Sequence, residues 1–230
     1  MKYAVSDLHG RYNKYKALIK MLDKNDTLYI LGDVIDRGPD GFRILLDMAQ
    51  RPNVVGLMGN HEDMALKALS GLTSKSRRGK SRTNLSGLEL WFSNGGAVSM
   101  KGLMNMKPDE QQKVLNYMQS LPLYKEVSAG GRDFVLVHGG LEGFSPSKPL
   151  EKYKRDELLW CRPKKGMKYY PDKFVVFGHT PTIFESHFTA SVVPGKIYRK
   201  SGWADIDCGC VYGSDNLGCL CLDTMEEIYL

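Results

Sequence analysis

Asp7-Leu8-His9-Gly10, Gly32-Asp33-Val34-Ile35-Asp36-Arg37-Gly38, Gly59-Asn60-His61-Glu62, His138-Gly139-Gly140 and Gly178-His179-Thr180 hold four of the chain's five histidines in short, ordered motifs. Carboxylates, a side-chain amide and imidazoles are donors that suit borderline divalent ions. Asp7, His9, Asp33, Asn60, His138 and His179 offer six such donors, more than one ion ordinarily takes from protein, so the set predicts a pair of metals. Mn²⁺ is the first expectation, with Fe or Zn²⁺ as alternatives; Ca²⁺ fits less well because it prefers oxygen alone. Two carboxylates against two divalent ions leave a net charge of about +2, and a neutral Asn60 preserves that excess. Such a centre suits a phosphate dianion. A metal pair ~3.5–4 Å apart can acidify a bridging water and clamp both ends of an in-line displacement.

Residues beside the ligands supply what the metals do not. His61 follows Asn60 directly, so it is expected near the metals without binding them, placed to protonate a leaving alkoxide. Asp36 could hold its tautomer, as carboxylates do for other imidazoles. Arg37 and Arg162, the latter in Leu158-Leu159-Trp160-Cys161-Arg162, are candidates for gripping phosphoryl oxygens in bidentate fashion. The candidate catalytic residues are thus His61, Asp36, Arg37 and Arg162, and the candidate substrate contacts are Arg37, Arg162 and Asn60. His187 has no motif around it.

Each motif follows a short apolar run that reads as a buried strand. Lys2–Ser6 leads to Asp7, Thr27–Leu31 to Asp33, Asn53–Met58 to Asn60, Asp133–Val137 to His138 and Phe174–Phe177 to His179. Ligand sites of open α/β sheets form beyond the carboxyl ends of strands, so all six donors can converge. Between the first strands, Tyr15, Leu18, Ile19 and Leu22, and then Phe42, Leu45, Leu46 and Ala49, repeat with helical spacing. Pro39 opens the second of these helices and Arg51-Pro52 closes it. A third helix runs from about His61 to Leu69, and a fourth lies near Pro108–Ser120. Strands dominate thereafter, including Leu123–Val127 and Glu227–Leu230. This pattern predicts an α/β chain with two facing sheets and helices outside, as one domain over residues 1–230.

Bulk properties bound the alternatives. The chain has 230 residues, 42% hydrophobic and 25% charged, with no apolar run of the length that crosses a membrane. The first strand begins almost at Met1, so no signal peptide is expected and the location is read as cytoplasmic. A net charge of +6 accommodates an anionic substrate but is too small to argue for nucleic acid. Ser70–Gly87 carries Lys75, Arg77, Arg78, Lys80 and Arg82 among small polar residues, and reads either as a basic lid or as a solvated loop. Cys208, Cys210, Cys219 and Cys221 form two C-x-C pairs in stretches that alternate like a hairpin, Ile206–Cys210 and Leu217–Leu222. They read as small core residues rather than zinc ligands or disulfides.

Taken together, Asp-x-His-Gly, Gly-Asp-x-x-Asp-Arg-Gly, Gly-Asn-His-Glu, His-Gly-Gly and Gly-His-Thr resemble the signature of the calcineurin-like metallophosphoesterases, most closely the bacterial and phage phosphoprotein phosphatases. The likeness spans Asp7 to Thr180. It implies a four-layer α/β/β/α sandwich, with Asp7 and His9 on one metal, Asn60, His138 and His179 on the other, and Asp33 bridging. It also implies His61 as general acid oriented by Asp36, with Arg37 and Arg162 binding phosphate. The implied substrate is a phosphorylated protein or a small phosphoester. Ser6 stands where a glycine commonly precedes the aspartate, which should alter the turn rather than the ligand. Symmetrical dinucleoside tetraphosphate hydrolases share most of these motifs but commonly lack the acidic residue at Asp36 and carry aspartate at Glu62. Both positions therefore tilt the reading toward phosphomonoesters. Trp91, Phe92 and Asn94-Gly95-Gly96 are a candidate wall for a base or a peptide.

Overall fold

The computed structural model of the chain describes residues 1–73, 85–164, 166–184, 188 and 192–230. Its first part alternates strand and helix: β1 (Lys2–Val5), α1 (Tyr12–Met21), β2 (Thr27–Ile30), α2 (Gly41–Met48), β3 (Val54–Gly56) and α3 (Asn60–Thr73). Three further helices follow, α4 (Leu85–Ser93), α5 (Ala97–Met104) and α6 (Pro108–Ser120). Pro108 fits the first turn of α6 because its missing N–H has no helical partner there, and Glu110 reaches back to the Lys107 amide. The chain then forms β4 (Tyr124–Ala129), β5 (Arg132–Val137), the short helix α7 (Arg155–Leu159), β6 (Lys173–Phe177), β7 (Tyr198–Lys200) and β8 (Trp203–Asp205). It ends in β9 (Gly218–Cys221) and β10 (Glu227–Tyr229).

Two five-stranded sheets result, ordered β10-β9-β1-β2-β3 and β4-β5-β6-β8-β7. β1, β2 and β3 run parallel, as do β5, β6 and β8, so each sheet aims several carboxyl ends the same way. The strand pleat sorts side chains between layers. Val5, Ile30 and Cys219 face the helices with Leu18, Leu45 and Met118, while Ala4, Leu31 and Leu220 face the second sheet's Phe134, Leu136 and Val176. The outer face of the second sheet buries Val135, Val175, Phe177 and Trp203 under Leu150, Leu158 and Tyr169. The expected sandwich is observed, although its fourth layer is mostly irregular chain around α7 and a 3₁₀ turn at Leu150–Lys152.

The expected cysteine hairpin does not form. β8 belongs to the second sheet and β9 to the first, so residues 206–217 cross between them. Asp205 Oδ1 accepts the Asp207 N–H at 3.0 Å and Asp207 Oδ1 accepts the Gly209 N–H at 2.9 Å. These side chains take backbone donors that a strand would need, and Gly209 adopts a φ of +71°. Cys208 therefore packs between the sheets while Cys210 packs beneath the helices. All five cysteines are buried and free. The five basic residues of the 70–87 segment lie outside the described residues, as does His187; Ser70 belongs to α3 and Gly87 to α4.

Candidate active site

Asp7 and His9 follow β1, Asp33 follows β2, Asn60 opens α3 just beyond β3, His138 follows β5 and His179 lies just past β6. Backbone bonds stitch these loops together: His9 N–H to Asp33 O at 2.9 Å, Gly178 N–H to His138 O at 2.8 Å. The His179 amide donates across the sheets to Asp7 Oδ2 at 3.0 Å. Among the described residues, Asp7, His9, Asp33, Asp36, Arg37 and His179 are six of eight non-glycine residues with positive φ, between +43° and +70°. Left-handed backbone is costly for such residues and concentrates where function over-determines the chain. Gly59 shows the crowding, since a Cβ there would run into Asp33.

Asp33 stands between two groups of donors. Its Oδ2 lies 3.8 Å from His9 Nε2, and its Oδ1 lies 3.4 Å from His138 Nε2. Asn60 Oδ1 is 2.8 Å from His138 Nε2 and 2.9 Å from His179 Nδ1. The Nδ1 of His9 faces Ile35 O at 2.8 Å and that of His138 faces Leu31 O at 2.7 Å, which turns each Nε2 lone pair toward Asp33. Burial holds the pKa of all three imidazoles below the ordinary value, keeping them neutral as metal binding requires. His179 Nε2 is buried without a hydrogen-bond partner. Burial, then Asp7 and Glu62, raise the Asp33 carboxyl well above its usual range, so the site favours added positive charge. These residues fit two divalent ions. Asp7 Oδ1 lies 3.9 Å from His9 Nε2, beside the first group. His61 Nε2 also reaches that group, 3.7 Å from Asp33 Oδ2.

The other nitrogen of His61 is committed. Its Nδ1 lies 2.6 Å from Asp36 Oδ2, and buried Trp91 donates from Nε1 to both Asp36 oxygens at 3.0 and 2.8 Å. Burial lifts the Asp36 carboxyl to about 7 against these donors. Trp91 is thus not the exposed wall expected from sequence, because its ring is 0% accessible and its N–H is spent on Asp36. Glu62 was read only as a mark of family; it accepts the amides of Asp33, Val34, Ile35 and Gly59 at 2.8–3.2 Å, tying the second and third motifs into one block. Its place three residues after Gly59 is a capping-box spacing, a signal legible in the sequence. Nothing in the spacing marks Trp91 or Ser99, whose Oγ accepts the Asp36 amide at 2.8 Å.

Both candidate arginines reach the site. Arg37 lies against His9 Nε2, and Arg162 donates to His179 O at 3.3 Å and Thr180 Oγ1 at 3.1 Å. Asp33, Asn60, His61, His179 and the two arginines line a cavity of about 140 Å³. A larger groove of about 1020 Å³, bordered by Arg132 and Lys173, lies at the amino ends of β5, β6 and β8 and contains none of the motif residues. Size alone does not mark the reactive site here; the convergence of donors does.

Comparison with known proteins agrees with this geometry. A symmetrical bis(5′-nucleosyl)-tetraphosphatase of Acidovorax sp. is 31% identical over 147 residues, 60% of this chain and 43% of that protein. The chain spans less than half the length of that relative. Serine/threonine-protein phosphatase 1 of Salmonella typhimurium is 28% identical over 186 residues, 78% of each chain. A crystal structure provisionally assigned as a diadenosine tetraphosphatase superposes with a TM-score of 0.67 at 21% identity, covering 100% of this chain and 92% of the other. The family model for calcineurin-like phosphoesterases matches residues 3–213, a stretch that contains every donor described above. By motif, fold and match, the chain belongs to the calcineurin-like phosphoesterase family.

Proposed function

We propose that the protein is a two-metal phosphoester hydrolase of the protein-phosphatase type, acting on phosphomonoesters. The observation that carries this reading is the His61–Asp36 pair at 2.6 Å, aimed by Trp91 into a cavity that Arg37 and Arg162 flank. Asp7 and His9 would hold one ion, Asn60, His138 and His179 the other, and Asp33 both. Two divalent ions, when bound, supply positive charge against the phosphoryl group and an acidified water. The set contains no thiolate, which favours Mn²⁺, with Fe or Zn²⁺ compatible.

The protein's own groups do the rest. Arg37 and Arg162 bind phosphoryl oxygens and fix the in-line orientation. His61 gives a proton from Nε2 to the departing oxygen while Asp36 holds Nδ1. Asn60 brings its Oδ1 beside His138 Nε2 and His179 Nδ1, donors that would share the second ion, and lines the cavity within reach of the phosphoryl group. A second reading, cleavage of dinucleoside polyphosphates, draws on the name of the Acidovorax relative. No helix among the described residues is long and apolar enough to cross a membrane, and five free cysteines fit a reducing compartment such as the cytoplasm.

Metal-stripped protein reloaded with Mn²⁺ and offered a phosphopeptide, p-nitrophenyl phosphate and diadenosine tetraphosphate tests both readings. Faster turnover of the first two supports the monoesterase. A dominant rate on the dinucleotide favours the second reading, and no metal-dependent turnover of any contradicts both.

A further inference from the structure

Trp160, Phe184 and Tyr212 are large hydrophobic side chains that remain 38%, 41% and 38% exposed. None of them belongs to the hydrophobic core clusters of the described residues. They come from three separate stretches of chain, after α7, after Thr182 and in the turn beyond Cys210, yet all three border the 140 Å³ cavity. Apolar side chains gathered at the rim of a polar cleft are a mark of ligand recognition.

Their contacts tie them to the catalytic groups. The Arg37 guanidinium carbon lies 4.9 Å from the centre of the Tyr212 ring, and Phe184 meets that ring edge-on at 5.2 Å. On the other side, Trp160 stands edge-on to His179 at 5.6 Å. The cavity itself is well below the roughly 300–1,000 Å³ of sites that engulf a whole ligand. It admits a phosphoryl group, and any ring on the substrate must lie at the rim. Arg37, stacked on Tyr212, joins the two zones, with charge toward phosphate and a π face toward the ring.

We propose that Trp160, Phe184 and Tyr212 form an aromatic seat that, among small-molecule phosphomonoesters, selects those whose leaving group carries a planar ring, a nucleobase in first place, over ring-free esters such as glycerol phosphate. This rests on the hydrolase reading above and adds to it the residues that choose the leaving group. Stacking a base on an aromatic side chain changes affinity about tenfold or more.

The test uses metal-loaded protein and three phosphomonoesters: adenosine 5′-phosphate, phenyl phosphate and glycerol phosphate. In Phe184→Ala and Trp160→Ala, the ratio of kcat/KM for ring-bearing to ring-free substrate falls about tenfold, mostly through KM. A purely structural role would lower all three substrates alike and overturn the proposal. A fall confined to adenosine 5′-phosphate identifies the occupant as a nucleobase; a fall confined to phenyl phosphate identifies it as an aryl ester; both keep the seat. A binding measurement stands apart from turnover. Of the three tryptophans, Trp91 and Trp203 are buried and Trp160 is exposed. Adenosine 5′-thiophosphate, a slowly cleaved analogue, quenches tryptophan fluorescence in the wild type and not in Trp160→Phe, whereas inorganic thiophosphate quenches neither. Quenching without turnover of any ester would contradict the hydrolase and keep the seat. Turnover with no quenching and unchanged ratios would do the reverse.

Discussion

Asp7, His9, Asp33, Asp36 and Arg37, carried by loops of the first sheet, all stand on left-handed backbone, whereas the second sheet brings His138 in ordinary conformation and only His179 with positive φ. The first-sheet loops are correspondingly braced. Glu62 gathers four amides, Ile35 O holds His9, and Trp91 with Ser99 pins Asp36. The second sheet needs less, since a strand end and one carbonyl from Leu31 suffice for His138. The contrast teaches that His138 needs little beyond a strand end, while Asp33 and Asp36 stand on strained loops held by a buried polar brace.

Substitutions on either side can break that contrast. Asp33→Ala has the largest expected effect, loss of both ions and of activity by at least about 10⁴-fold, read by metal analysis and turnover; retention of one ion would remove Asp33 from the bridge. Glu62→Ala strands four buried amides and should cost at least about 3 kcal/mol in denaturant unfolding. His138→Ala should instead lose one of two ions with a smaller loss of stability. Comparable unfolding costs for these two variants would erase the difference between the regions. Trp91→Phe keeps the ring and removes the N–H, so a drop of about tenfold in kcat with metal content intact is expected.

The smallest effect is on pH dependence. Burial raises the Asp36 carboxyl from 3.8 to about 7, so the metal-free native state keeps a proton that the unfolded chain releases above about pH 4. Asp36 therefore withdraws stability as pH rises from about 4 to about 7 and withdraws no more beyond that. In Asp36→Asn the fall in Tm across this window should be shallower. An identical profile would mean that Asp36 does not titrate there.

The sequence made the donors and their strands legible because each motif directly follows a buried apolar run, as Ala4-Val5 before Asp7 and Val176-Phe177 before His179 show. Short apolar runs at β1 and β2 and helical spacing on α1 carried the first half of the fold. The crossing at residues 206–217 was hidden because Cys208 and Cys210 alternate as in a strand, while the aspartate–amide bonds that break the strand depend on three-dimensional closure. Trp91 was misread for a related reason. An aromatic beside glycines looks like a docking wall until its N–H is seen donating to Asp36, 55 residues away in sequence. The aromatic rim was equally invisible, since Trp160, Phe184 and Tyr212 share no spacing.

His61 lies close enough to Asp33 to be a ligand, whereas the proposed function makes it the proton donor, held by Asp36 at Nδ1. Metal content and turnover of His61→Asn separate the two roles directly. The expected result is two ions per chain with kcat lowered roughly 10²–10⁴-fold. Loss of an ion, or turnover at the wild-type rate, would contradict it.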